Sequence, residues 1–238
     1  MEYGQFCPIA KSSEVLGEKW TILIIRELLM GCTRFNELQR GLGLISPTLL
    51  TKRLVMLEER GLVYRRRISG QRGFEYHPTE SCKELLPILL SLGEWGMRWA
   101  RNNLSESDYD VSLLMLYLQR SIVPEKLPGR ETVIRFQFSD LTDVPNWWIV
   151  VSDGLVDVCT SDPGQDVDIY FNTTVRTMTE LWMGQISYRN AINAEDLVVS
   201  GPRALTRNIP DWMKNSIFAD MPPAREIIGD PAAVQAAP

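Results

Sequence analysis

Apolar positions recur at helical spacing through the first hundred residues of the 238-residue chain and change to strand-like alternation beyond about residue 130. Ser12 or Ser13 is placed to cap a short helix that ends at Leu16 before Gly17. Trp20 to Met30 is apolar on nearly every side, interrupted by Arg26 and Glu27, and predicts a buried central helix closed by Gly31. Phe35 to Arg40 predicts a short helix that points Phe35 and Leu38 inward. Ser46-Pro47 combines an N-cap hydroxyl with proline at the first helical position, where its missing N–H costs nothing. Leu50, Leu54 and Leu57 then define a core face, Thr48, Thr51, Lys52 and Val55 the opposite face, with Arg53 at the flank and Gly61 as the stop. Leu62–Ile68 and Phe74–His77 predict the strands of a hairpin around Ser69-Gly70-Gln71-Arg72-Gly73. Thr79 caps the next helix, where Leu85, Ile88, Leu92, Trp95 and Trp99 step 3-4-3-4, Leu86 and Leu89 widen the seam, and Pro87 predicts a mild kink.

After the polar break "SESDYD" at 105–110, Val111 to Arg120 reads as one more helix. Strands follow at Thr132–Phe138, Trp147–Val151, Leu155–Cys159 (after an Asp153-Gly154 turn) and Val167–Phe171. Thr173 or Thr174 caps a helix through Met183. Ser187–Ala194 predicts a short helix, Leu197–Val199 a strand and Ala204–Trp212 a last helix. The fold class expected is α+β, with domains at 1–104 and 105–225. The Ala- and Pro-rich tail at 226–238 is expected to be disordered.

Composition narrows the chemistry. Cys7, Cys32, Cys82 and Cys159 are irregularly spaced without a C-x-x-C, which argues against a disulfide framework or zinc site and fits a reducing compartment. His77 is the sole histidine, so a His-based metal centre or a Ser-His-Asp triad has almost nothing to build on. The expectation is a soluble cytoplasmic protein that is not an enzyme and needs no cofactor or metal. With no secretory leader and no long apolar run, no membrane role is expected. The net charge of −5 conceals an asymmetry: 15 basic against 11 acidic residues in 1–104, but ten against 19 in 105–238. The first half is suited to a polyanion and the second is not.

Helix, short helix, capped helix and basic hairpin is the order of a winged helix-turn-helix, which lays its second motif helix in the major groove and sets the hairpin beside the backbone. Thr48, Thr51 and Lys52 share the exposed face of the recognition helix, and Arg65, Arg66, Arg67 and Arg72 cluster on the wing. Residues Phe6 to Ala100 resemble the HxlR-type winged-helix transcriptional regulators. The marks are Cys7-Pro8, Gly17-x-Lys19-Trp20, Arg34-Phe35-x-Glu37-Leu38, Ile45-Ser46, Arg53-Leu54 and Glu58-x-x-Gly61-Leu62-Val63, with a departure at His77-Pro78. DNA-contacting candidates are Arg34, Ser46, Thr48, Thr51, Lys52, Arg53, Arg65, Arg67 and Arg72. The resemblance implies a dimer through the N-terminal segment and the last helix of the domain. The seam of Leu85, Ile88, Leu92, Trp95 and Trp99 suggests the same independently. Such a dimer would read double-stranded DNA as an inverted repeat with half-sites roughly 34 Å apart.

In the second half, Ile134, Phe136 and Phe138 alternate to one face, and Trp148, Val150, Leu155, Val167, Ile169 and Phe171 are expected to extend the same interior. Asp166-x-Asp168, Leu181-Trp182-x-Gly184, Ala191-Ile192 and Leu197-x-Val199-x-Gly201 resemble the sterol-carrier-protein type 2 fold over about Leu113 to Ala219, although Glu195-Asp196 stands where that family often has Gly. The resemblance implies a five-stranded sheet packed by helices around an apolar tunnel, with Phe136, Trp148, Phe171, Trp182 and Trp212 as lining candidates. The reading is a dimeric, DNA-binding regulator whose second domain senses a hydrophobic small molecule. In the alternative, that domain is a dimerisation or docking scaffold and the switch is the thiol of Cys7. A third reading, a lipid carrier or enzyme with a vestigial winged helix, is opposed by the arginines of the wing.

Overall fold

The computed structural model describes residues 2–70, 72–100 and 104–221. The chain forms two compact units that divide between Trp95 and Gly96, inside a helix and ahead of the polar break. The expected disordered tail, 226–238, lies outside the described residues.

In the first unit α1 (Pro8–Leu16) begins at Pro8 with Cys7 in the N-cap position, so Ser12 and Ser13 lie inside the helix rather than capping it. The proline at the first turn accounts for the earlier start. The central helix α2 (Thr21–Leu29) buries Ile24, Ile25 and Leu28 against α3 (Phe35–Leu42) and α4 (Pro47–Glu59), which supply Leu38, Leu42, Leu50, Leu54 and Leu57. Each such side chain contributes on the order of 1.5–3 kcal/mol by leaving water. Antiparallel β1 (Val63–Arg67) and β2 (Phe74–Pro78) pair Tyr64 with His77 and Arg66 with Glu75. The Tyr76 N–H donates to Thr33 O at 2.8 Å, which fastens the hairpin to the start of α3. Beyond Thr79, a break replaces the expected mild kink: α5 (Glu80–Lys83) stops and α6 (Leu86–Trp99) starts with Pro87 in its first turn. The proline ring would collide with the carbonyl four residues back, that of Lys83, so the helix ends there and restarts.

In the second unit α7 (Val111–Ser121) leads to a five-stranded sheet of order β5-β4-β3-β6-β7. The strands are β3 (Glu131–Phe138), β4 (Asn146–Ser152), β5 (Leu155–Cys159), β6 (Ile169–Thr173) and β7 (Val198–Ser200); only β3 and β6 run parallel. Asp153 and Gly154, both with positive φ, make the tight turn from β4 into β5. Helices α8 (Val175–Trp182) and α9 (Tyr188–Asn193) connect β6 to β7. The single last helix expected at 204–212 is two, α10 (Arg203–Thr206) and α11 (Ile209–Trp212), parted before Pro210 for the reason that operates at Pro87.

One face of this sheet closes over the helices through Ile134, Phe136, Phe138, Ile149, Ile169 and Phe171, packed with Met115, Leu118, Met178, Leu181, Trp212 and Met213. The strand β4 has the opposite parity to that expected: Trp147, Ile149 and Val151 join this core, because Phe136 pairs with Trp147 and Ile134 with Ile149. Trp148 and Val150 therefore sit on the sheet's other face, beside Arg135 and Val133. Leu155, at the edge, is 70% exposed rather than interior.

Candidate nucleic-acid interface

The interface is built on α4. The Ser46 hydroxyl accepts the Leu49 N–H at 3.3 Å, so Ser46 acts first as the cap that orients the helix start. Thr48, Thr51 and Lys52 are all exposed on the face opposite Leu50, Leu54 and Leu57. The Thr51 hydroxyl donates back to Pro47 O at 2.9 Å, which leaves its methyl group and acceptor lone pairs for a partner. Arg53 turns away from that face. Its Nε donates to Lys19 O at 2.9 Å and its guanidinium lies 2.7 Å from Glu18, with the side chain 11% exposed. It fastens α4 to the turn before α2 and is a positioning residue in this structure.

The strand period divides the wing arginines. Arg65 and Arg67 share one side of β1, and Tyr64 and Arg66 share the other. Arg65 lies over the Phe74 ring at 4.9 Å and 3.3 Å from Glu58 at the end of α4. Arg66 donates to Glu75 at 2.9 Å. Arg67 and Arg72 are exposed and form no ion pair among the described residues. Glu75 gathers two guanidiniums and an imidazole, with Arg34 at 3.5 Å and His77 Nε2 at 3.4 Å as well as Arg66. The hydrogen bond from Arg66 holds the Glu75 carboxyl below its ordinary range, with His77 and the charge of Arg34 acting in the same direction. Arg34 also starts α3, where the Glu37 carboxylate accepts its N–H and that of Thr33, each at 2.9 Å. Sequence reasoning passed over Glu75 and Tyr64; the signal lay in the hairpin register, which sets Glu75 opposite Arg66 and Tyr64 opposite His77. The Tyr64 and His77 rings stack at 5.4 Å.

Along α6 the seam residues Ile88, Leu92, Trp95 and Trp99 are each about half exposed, whereas Leu85 packs against the first unit's core. Phe6, just before α1, and Ile9, in its first turn, are exposed as well. Cys7 is a partly exposed free thiol, and the nearby Lys11 is engaged by Glu14 at 3.0 Å. Cys32 and Cys82 are buried, and burial pushes the Cys82 thiol up to about 11.

Three of the five aromatic residues expected to line a tunnel pack against one another. Phe136 stacks on Phe171 at 5.0 Å, and Trp212 meets Phe171 edge-on at 6.2 Å. Trp182 stacks on Tyr117 at 4.7 Å and donates to the Ser121 hydroxyl at 2.8 Å. Trp148 lies on the other face of the sheet with the Arg135 guanidinium 5.9 Å from its ring. Two cavities open elsewhere in the unit. One, of about 270 Å³, lies between α9 and the α10–α11 segment and is lined by Tyr188, Arg189, Ile192, Asn193, Thr206, Arg207, Ile209 and Pro210. The other, of about 250 Å³, lies beside the β4–β5 turn. The described residues contain no group of side chains able to hold a metal ion and no helix long and apolar enough to cross a membrane.

Residues 15–104 match the HxlR-like helix-turn-helix family, and residues 116–214 match the SCP-2 sterol transfer family. The uncharacterized HTH-type transcriptional regulator YvaP of Bacillus subtilis is 35% identical over 101 residues, which cover 42% of this chain and 94% of YvaP. An uncharacterized HTH-type transcriptional regulator of Mycobacterium tuberculosis is 40% identical over 89 residues, 37% of this chain and 56% of the relative, so the chain spans about half the length of the mycobacterial relatives it matches. The reduced form of the transcriptional regulator YodB from B. subtilis is similar at 28% identity over 41% of this chain and 98% of YodB, with a TM-score of 0.35. A capped helix with an open polar face, a basic hairpin fastened beside it and near-complete coverage of YvaP agree: the chain belongs to the HxlR-like helix-turn-helix family and continues into a domain of the SCP-2 sterol transfer family.

Proposed function

We propose that the protein is a dimeric, non-enzymatic transcription factor that binds an inverted-repeat operator through α4 and the wing, and whose second unit responds to a small molecule with an apolar part. The observation that carries the reading is the open polar face of α4, Thr48, Thr51 and Lys52, next to wing arginines Arg67 and Arg72 that lack a counter-ion among the described residues. Phosphates are the natural partners of such side chains, and hydroxyls in the groove can meet base edges. The dimer is supported by the half-exposed row Ile88, Leu92, Trp95 and Trp99 on one helix. Effector binding is supported by the match to the SCP-2 sterol transfer family. A ligand acts on DNA affinity only if it binds the DNA-competent and incompetent states unequally.

The test is selection of bound sequences from a random DNA pool, followed by fluorescence anisotropy across salt concentrations. Log affinity should fall steeply with log salt, as several phosphate contacts release several counterions. A flat profile, or no sequence enriched, sinks the DNA reading. Sedimentation should give a dimer that Leu92→Glu with Trp95→Glu converts to monomer; an unchanged dimer would move the interface elsewhere. A second reading places the switch at Cys7, because its thiol is free and partly exposed within the apolar N-terminal segment that includes Phe6 and Ile9. Alkylation of Cys7 without a change in operator affinity removes it.

A further inference from the structure

The cavity between α9 and the α10–α11 segment has features that the apolar core lacks. Helical spacing puts Arg189, Ile192 and Asn193 on one side of α9. The break before Pro210 turns the chain at Asn208, so Thr206 and Arg207 line the cavity on one side of the bend and Ile209 and Pro210 on the other. Two arginines from separate elements thus line the same space. Neither forms an ion pair among the described residues, although residues 105–238 carry 19 carboxylates against ten basic side chains. By contrast Arg176, in the same unit, is engaged by Glu106 and lies over the Tyr109 ring. Tyr188 packs its ring against the sheet core while also lining the cavity, and burial pushes its phenol up, so it stays a neutral donor. Ile192, Ile209 and Pro210 supply apolar wall.

We propose that this cavity is a binding site for a compact amphipathic anion, a carboxylate or phosphate monoester carrying one small apolar group, whose charge is held by Arg189 and Arg207. At about 270 Å³ the space is just below the usual range for small-molecule sites, roughly 300–1,000 Å³. It accommodates a single small ring and not a sterol. Guanidiniums favour carboxylate and phosphate oxygens through paired, charge-assisted hydrogen bonds. Asn193 and Thr206 add further polar groups at the wall. The site deepens the effector reading above, and only its consequence at DNA rests on that reading.

The experiment is isothermal titration of the full-length protein with benzoate, phenyl phosphate and, as the neutral counterpart, benzyl alcohol. At least one anion should bind, and benzyl alcohol should bind tenfold or more weakly, since hydrogen bonds to charged groups set differences of about tenfold to a hundredfold. Whichever anion binds identifies the headgroup as carboxylate or phosphate. Arg189→Met with Arg207→Met should abolish anion binding with an unchanged thermal melt, and the corresponding double Lys variant should keep part of it. Equal binding of anion and alcohol, unaltered binding by the double Met variant, or no binding of any probe overturns the proposal. The effector reading falls separately: it fails if palmitate and cholesterol also leave tryptophan fluorescence and operator affinity unchanged, and survives if either of them acts.

Discussion

Replacing Gly41 by alanine should unfold the winged-helix unit more easily, although alanine is the better helix former. Gly41 lies in α3, and a β-carbon there would sit 2.1 Å from Glu27 Oε2 and 2.5 Å from its carboxyl carbon. Glu27 is wholly buried in α2, where it accepts from Arg26 Nε at 2.9 Å and lies 3.7 Å from the Cys32 thiol. Arg26 also donates to Gly41 O at 3.1 Å. The carboxylate therefore has no open side to retreat to, and moving it breaks a buried ion pair. The helical gain of alanine over glycine is about 1 kcal/mol. Breaking a buried pair costs roughly 3–5 kcal/mol, so the net loss is about 2–4 kcal/mol. In a unit of this size that lowers the melting temperature by on the order of 10 °C or more. Thermal melts followed by circular dichroism would measure it, with Gly96→Ala as the comparison. Gly96 also lies in a helix, but nothing comes within 4 Å of its would-be β-carbon, so that change should be neutral or stabilising. A Gly41→Ala protein that melts at or above the wild type refutes the reasoning. So does a double-mutant cycle with Glu27→Ala in which the two effects simply add.

Arg53→Ala should cost about 1–2 kcal/mol of stability by releasing α4 from Lys19 and Glu18, with any loss of operator affinity following that loosening; a normal melt with altered base preference would return Arg53 to the groove. Arg67→Ala should weaken binding to all sequences alike and reduce the salt slope by about one, whereas Thr48→Ala should change base preference, both read by anisotropy on a panel of operators. Glu75 has its folded pKa depressed below the ordinary value of 4.5, so its stabilisation is complete above that value and is lost as pH falls through the lower folded one. Glu75→Gln should therefore flatten the acid limb of the stability profile below about pH 4.5, and an unchanged limb counts against the clustering of Arg66 and Arg34 on Glu75.

The parts of the fold legible in the sequence are those decided locally. Ser46-Pro47 predicts the start of α4 and Leu50, Leu54 and Leu57 its buried face, and all stand as read, because capping and helical periodicity need only neighbours within a few residues. The two misjudged helices share one cause. In sequence Pro87 reads as a mild kink and the last helix runs straight through Pro210, but a proline with a carbonyl four residues back ends the helix whenever a loose turn is available. The parity of β4 failed for a different reason. Trp147 to Val151 is apolar on both faces, so its own pattern does not choose between Trp147 and Trp148, and only the pairing with β3 decides.

The interface shows the same division between what composition reveals and what geometry decides. A cluster of arginines announces a polyanion site, but the arginines are not equivalent once paired. Glu18 and Lys19 take Arg53, Glu58 and Phe74 hold Arg65, and Glu75 holds Arg66 with Arg34. Each of those carboxylates competes with phosphate, so an arginine it holds joins DNA only by exchanging one anion for another, at little net gain. Arg67, Arg72 and Lys52 have no partner of that kind among the described residues and are free to release counterions directly. Affinity should thus rest on the few cations left unpaired, and orientation on the many that are paired. The same logic applied to the acidic second unit directs attention away from its numerous aromatics, which satisfy one another in the core, and toward Arg189 and Arg207, which do not.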